Sequence, residues 1–126
     1  VSVKKMILIV EDEPDVSLFL KTLLEDEGFE TAVAANGKEG FAQAMALKPA
    51  LITLDITMPE ESGMRMYRDL QADPGLKDIP VVIVTGVSPE FKGFIESRSQ
   101  VRPPDAYFEK PVDREELVAT VKRLAN

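Results

Sequence analysis

Cysteine, histidine and tryptophan are missing from all 126 residues, and the first two absences remove whole classes of chemistry. Without a thiol there is no disulfide framework and no cysteine nucleophile. Without an imidazole there is no Ser-His-Asp triad, and zinc sites of the Cys/His type are excluded with it. Basic residues are also scarce: 15 Lys and Arg against 22 Asp and Glu leave a formal charge of -7, which opposes any broad contact with a nucleic-acid backbone. Long hydrophobic runs are lacking. Met6-Ile7-Leu8-Ile9-Val10 and Val81-Val82-Ile83-Val84 fall far below the roughly 18 residues of a membrane span. The seven glycines are scattered and match neither of the glycine-rich nucleotide-binding patterns. What chemistry remains belongs to carboxylates, hydroxyls and lysine.

Against those absences, 44% hydrophobic and 29% charged residues describe a globular chain, long enough to bury roughly two-thirds of its unfolded surface. One domain over residues 1–126 is expected, soluble and, with no signal sequence, cytoplasmic. The start Val1-Ser2-Val3, without Met, is read as processed, engineered or excised from something longer.

Short apolar runs alternate with amphipathic segments, the pattern of βαβ units around a parallel sheet. Strands are expected at Met6 to Val10, Glu30 to Ala35, Ala50 to Leu54, Pro80 to Val84 and Ala106 to Phe108. The first helix runs from Pro14 to about Glu27, with Val16, Phe19, Leu20, Leu23 and Leu24 on its buried face and Gly28 at its end. The second follows Asn36-Gly37 to about Leu47 and turns Phe41, Ala44 and Met45 inward. A third ends near Ala72 at Asp73-Pro74-Gly75, and a fourth runs from Ser88-Pro89 to about Ser99. Asp113 and Glu116 form a capping-box-like start to the last, which buries Leu117, Val118, Val121 and Leu124. The first, third and fourth strands are apolar almost throughout, so both sheet faces are covered. The expected fold is an α/β three-layer sandwich, a five-stranded parallel sheet in the flavodoxin-like order 2-1-3-4-5.

Open α/β sheets bind ligands beyond the carboxyl ends of their strands, at the switch point. Here those ends read Glu11-Asp12-Glu13, Asp55, Thr85-Gly86 and Glu109-Lys110-Pro111. Neighbouring strands lie roughly 4.8 Å apart, so Asp12 and Asp55 converge with Thr85 and Lys110 beside them. Such crowded carboxylates repel one another unless a cation joins them, and an oxygen-only set suits Mg2+. Lys110 and Thr85 are then placed to meet a phosphate, and the Asp55 carboxylate to act as nucleophile toward a phosphoryl group. Each residue also has a plainer reading. Glu11 and Asp12 suit a helix N-terminus, Asp55 an Asx-type turn, Thr85 a strand end, Lys110 a solvated surface and Tyr107 ordinary packing.

Four motifs in order, Ile7-Leu8-Ile9-Val10-Glu11-Asp12-Glu13, Leu54-Asp55-Ile56-Thr57-Met58-Pro59 with Gly63, Val84-Thr85-Gly86 and Phe108-Glu109-Lys110-Pro111, resemble the receiver domain of bacterial two-component response regulators. The resemblance covers essentially the whole chain. It implies a Mg2+ site from the Asp12 and Asp55 carboxylates and the Thr57 backbone carbonyl, with Glu11 holding metal-bound water. It implies that Asp55 accepts a phosphoryl group from a histidine-kinase phosphohistidine, that Thr85 and Lys110 bind that group, and that the Tyr107 rotamer follows Thr85. It also implies a cis Lys110-Pro111 bond. The side chains of Thr57 and Val87 stand where the family controls water access to the phosphoryl group; Thr57 otherwise acts through its backbone. The stretch Val101-Arg102-Pro103-Pro104-Asp105 departs from the family pattern, on the side that receivers use for partners or for a homodimer.

The expected partners are a histidine kinase or phosphotransfer protein and an output partner the sequence does not name. The competing readings are a receiver that binds its partner whatever its phosphorylation state, and a phosphatase with an aspartyl-phosphate intermediate. The second is disfavoured because Thr57 stands where a second carboxylate would serve as general acid.

Overall fold

The computed structural model describes residues 4–58, 62–86 and 104–125. Five strands, β1 (Met6–Val10), β2 (Glu30–Ala34), β3 (Leu51–Leu54), β4 (Val81–Thr85) and β5 (Ala106–Glu109), form one sheet in the order β2-β1-β3-β4-β5. Every pairing is parallel, with Val10 opposite both Ala34 and Leu54, and Thr85 opposite Glu109. The strand ends that carry the polar motifs are thereby brought level along one edge.

Four helices are described: α1 (Pro14–Asp26), α2 (Gly37–Leu47), α3 (Ser62–Ala72) and α4 (Arg114–Ala125). The fourth helix expected from Ser88-Pro89, together with Val87 and Val101 to Pro103, lies outside the described residues. Local chemistry sets the helix ends. Pro14 opens α1, and Gly28 closes it at φ 95°, the left-handed region. The Asn36 side chain accepts from the Glu39 N–H at 2.9 Å to cap α2, and Asp113 accepts from the Glu116 N–H at 3.0 Å to cap α4.

The sheet separates two cores. Leu8, Val10, Ile52, Leu54 and Ile83 face α2 and α3, whereas Ile7, Ile9, Leu51, Val82 and Val84 face α1 and α4. This odd–even split is the period of two expected of a strand buried on both faces. In α4, Leu117 and Val121 are fully buried and Val118 and Leu124 half-buried, along the expected stripe.

Two inward assignments are corrected. Phe19 is 38% exposed and Met45 45% exposed. In α2 the face turned to the core is Gly37, Gly40 and Ala44, because the helix approaches closely: a Cβ on Gly40 would lie 2.8 Å from Met66 Sδ and 2.9 Å from Val10 Cγ2. One residue past Ala44 is a 100° rotation, which carries Met45 to the surface. In α1 the buried line is Leu20 and Leu24, and Phe19 lies on its flank beside Val16 and Pro111.

Candidate functional site

The site is built by sheet hydrogen bonds that run one residue past the strands. Glu11 N–H donates to the Ala34 carbonyl at 3.0 Å, Asp55 N–H to Val10 at 3.0 Å, and Lys110 N–H to Thr85 at 2.9 Å. Glu11, Asp55 and Lys110 are therefore each the first residue beyond a strand, held by the backbone, and Thr85 is the last of β4. Glu11, Asp55 and Thr85 are buried, at 3%, 2% and 0% exposure, and Asp12 and Glu13 are exposed.

Lys110 lies at the centre of the charges. Its Nζ is 2.9 Å from Glu11 Oε1, 3.3 Å from Asp55 Oδ2 and 3.5 Å from Glu13 Oε1. The Glu11 contact is out of line for a hydrogen bond and acts as an ion pair, while Glu11 Oε2 accepts from the Glu13 N–H at 3.1 Å. The peptide bond between Lys110 and Pro111 is cis.

Asp55 is asymmetric. Its Oδ1 accepts from the Thr57 N–H at 2.8 Å, the Thr57 hydroxyl at 2.5 Å and the Thr85 hydroxyl at 3.1 Å, and its Oδ2 faces Lys110. The Thr57 N–H bond is the Asx-type turn that a lone Asp would have suggested, so turn and site coexist. Burial alone would raise the Asp55 carboxyl; the Thr57 hydrogen bonds, with Glu11 and Lys110, outweigh it and hold it below the usual range. For Glu11 burial wins over its ion pair with Lys110 and its hydrogen bond from Glu13 and, with the Asp55 charge adding, pushes the carboxyl up to about 7. Burial would also lower Lys110, but its ion pairs with Glu11 and Asp55 carry it above its ordinary value.

Carboxylate oxygens of Glu11, Asp12, Glu13 and Asp55 lie within 4.8 Å of one another. This is an oxygen-only donor set of the kind hard divalent cations select. The residues fit a Mg2+ ion on chemical grounds.

The structure thus brings together Glu11, Asp12, Asp55, Thr57, Thr85 and Lys110. Tyr107 is opposite Ile83, on the same sheet face as Thr85 by alternation, and packs against the core under α2 and α3. Two contributions were missed by sequence reasoning. The Thr57 side chain, expected only to influence water access to a phosphoryl group, bonds directly to Asp55; the signal for it is a hydroxyl two residues after an Asp, the spacing at which side chains close local turns. Glu13 joins both Lys110 and the acid cluster. A Cβ on Gly86 would meet nothing within 4 Å among the described residues.

A family model described as the response regulator receiver domain matches residues 7–122. The chain belongs to that family. Protein PilH of Pseudomonas aeruginosa is 37% identical to this receiver domain over 115 residues, 91% of this chain and 93% of that protein. The DNA-binding dual master transcriptional regulator RpaA of Synechocystis is 34% identical over 121 residues, 94% of this chain and 48% of that protein. This receiver domain therefore spans about half the length of the DNA-binding regulators it matches. Among solved structures, the receiver domain of a signal transduction histidine kinase from Syntrophus aciditrophicus is 35% identical with a TM-score of 0.82, covering 96% of this chain and 89% of that one. Receiver domains are signalling modules of two-component systems that interact with histidine kinases or phosphotransfer proteins. In this one, no helix among the described residues is long and apolar enough to cross a membrane.

Proposed function

We propose that this receiver domain accepts a phosphoryl group on Asp55 from a phosphohistidine of a histidine kinase or phosphotransfer protein, and that the modification switches its interaction surface. The observation that carries the reading is the setting of Asp55, a buried carboxylate with Lys110 on one oxygen and Thr85 on the other, next to a cluster of acids. In the transfer the donor N–P bond breaks as a bond forms from an Asp55 oxygen to phosphorus. The depressed Asp55 keeps the nucleophile ionised at neutral pH. The Lys110 ammonium and the Thr85 hydroxyl then bind the transferred oxygens, the ammonium by charge and the hydroxyl by hydrogen bonding.

Asp12, Asp55 and the Thr57 carbonyl would hold Mg2+, with Glu11 on its water shell, and the ion would supply positive charge for the transferring group. The switch uses Thr85 and Tyr107: a Thr85 hydroxyl drawn to a phosphoryl group biases the packing around Tyr107 on the same sheet face. The domain changes its own covalent state and turns over no separate substrate.

Intact mass after incubation with Mg2+ and a small-molecule phosphodonor tests this reading. A phosphoryl mass gain is expected in the wild type, and none in Asp55→Asn or after chelation. No gain, with the donor shown active on a control receiver, would leave the phosphorylation-independent interaction module as the better reading.

A further inference from the structure

On one side the sheet ends at β2, which pairs with β1 alone, and an unpaired strand edge is a template for another strand. The backbone bonds show which groups face that edge. Glu30 N–H donates to the Lys5 carbonyl, and the Ala34 carbonyl accepts from Glu11 N–H, so the even-numbered residues of β2 turn toward β1. By alternation the backbone groups of Thr31 and Val33, and the Ala35 N–H just past the strand, face outward. Two of them are met by side chains of α2. Gln43 Nε2 donates to the Val33 carbonyl at 3.1 Å, and Glu39 Oε2 accepts from the Ala35 N–H at 3.2 Å. Glu39 and Gln43 are four residues apart and so share one helix face, from which they reach along the edge. The Thr31 hydroxyl turns the other way, to α1, donating to Glu25 at 2.8 Å and accepting from Lys21 at 3.3 Å. That leaves the Thr31 N–H and carbonyl and the Val33 N–H at the open edge.

We propose that the outer edge of β2 is a strand-addition site for a second copy of this chain, held shut in the monomer by Gln43. The occupant follows from the register. Antiparallel pairing about a two-fold axis at Ala32 sets Thr31 opposite Val33 of the second copy, and each such pair exchanges two N–H···O bonds. Four hydrogen bonds form, and every outward backbone group of Thr31 and Val33 is used. The facing side chains are β-branched, a pairing that suits a sheet, and Glu30 falls opposite Ala34, so no like charges meet. The Gln43 amide occupies one acceptor of that ladder in each copy. Both amides must leave before pairing completes, whereas Glu39 sits past the ladder's end. One ordinary hydrogen bond is a factor of about three to ten, and the two-fold symmetry squares it. The inference is independent of the reading of Asp55.

The test is sedimentation equilibrium of wild type, Gln43→Ala, and Gln43→Ala combined with Val33→Pro, from about 10 μM to about 1 mM. Alanine is the best helix former and Gln43 is only half-buried, so the first variant keeps the fold, which circular dichroism checks. Gln43→Ala is expected to dimerise at concentrations about ten- to a hundredfold below those the wild type needs. The double variant is expected to be monomeric again, because proline removes the Val33 donor and is tolerated on an edge strand. Gln43→Ala no more associated than wild type at the highest concentration overturns the proposal and leaves the edge, at most, to a strand of another protein. A double variant that dimerises as tightly as Gln43→Ala overturns it as well, since the contact then lies elsewhere.

Amide hydrogen exchange locates the contact directly. In dilute wild type the Thr31 and Val33 amides are expected to exchange fast beside slow Ala32 and Ala34, and in dimeric Gln43→Ala to become protected together. Protection of Thr31 and Val33 in monomeric wild type would mean that the edge is already covered, and fast exchange in the dimer that another surface pairs; either result overturns the proposal.

Discussion

Glu11 is 3% exposed, next to a second buried carboxylate, and burial above all pushes it from 4.5 up to about 7. A group whose folded pKa is raised contributes stability that is complete below its unfolded pKa and lost as pH climbs through the folded one, here about 3 kcal/mol between about 4.5 and 7. Asp55 shifts the other way, so its contribution is present above its ordinary value and leaves only as pH falls below it. Lys110 is raised from 10.5 and keeps its charge throughout this range. Between pH 5 and 8 the shifted group that titrates among the described residues is therefore Glu11. In metal-free protein the thermal midpoint is expected to fall between pH 5 and pH 8, and in Glu11→Gln to fall much less, leaving the variant the more stable at pH 8. Equal slopes in calorimetric scans of the two proteins would show instead that Lys110 compensates the buried charge in full.

Helix α3 starts so close to the end of β3 that a Cβ on Gly63 would run into the Asp55 carbonyl oxygen and lie 2.7 Å from Ile56 Cα. Both neighbours are backbone, so the added methyl group of Gly63→Ala displaces the loop that carries Asp55 and Thr57. A loss of about 1–3 kcal/mol in urea unfolding is expected, with phosphoryl gain at Asp55 slowed at least as strongly as stability suggests. Gly86→Ala is the control for stability: with open space around its Cβ among the described residues, it should change unfolding by under about 0.5 kcal/mol. A comparable loss in both would place the effect of Gly63 in the flexibility of glycine rather than in the contact. The same elements show what the sequence made legible. Apolar runs in β1, β3 and β4 announced strands buried on both faces, and Asp113 with Glu116 announced the cap of α4, because both signals are local. The rotation of α1 and α2 was hidden, since Phe19 and Met45 fit an apolar stripe until Gly37, Gly40 and Ala44 bring α2 down on its small-residue face. The site's residue types were legible from strand ends. The Thr57 hydroxyl on Asp55 depends on a rotamer, and the approach of Gly63 on how two elements pack, so neither is written in spacing.

Across the whole chain the charge is -7, yet four of its carboxylates share one crevice at the sheet end, Glu11 and Asp55 buried and Asp12 and Glu13 exposed. Two effects of added salt must then be separated. Any electrolyte screens the general repulsion of an acidic protein, with a Debye length of about 10 Å at 0.1 M, whereas a cation bound in the crevice stabilises by mass action, by about 2.7 kcal/mol at a hundredfold excess over its dissociation constant. For a domain of this size that is a rise in thermal midpoint of roughly 10 °C. MgCl2 is therefore expected to raise the midpoint well above NaCl of equal ionic strength, more at pH 8 than at pH 5, because protons compete for Glu11 at the lower pH. Asp12→Asn, which removes an exposed carboxylate of the cluster without opening either core, should lose the increment specific to Mg2+ and keep the part that NaCl supplies. Equal effects of the two salts on the wild type would reduce the crevice to repulsion relieved by screening, and the Mg2+ requirement of the proposed transfer would lose its physical basis.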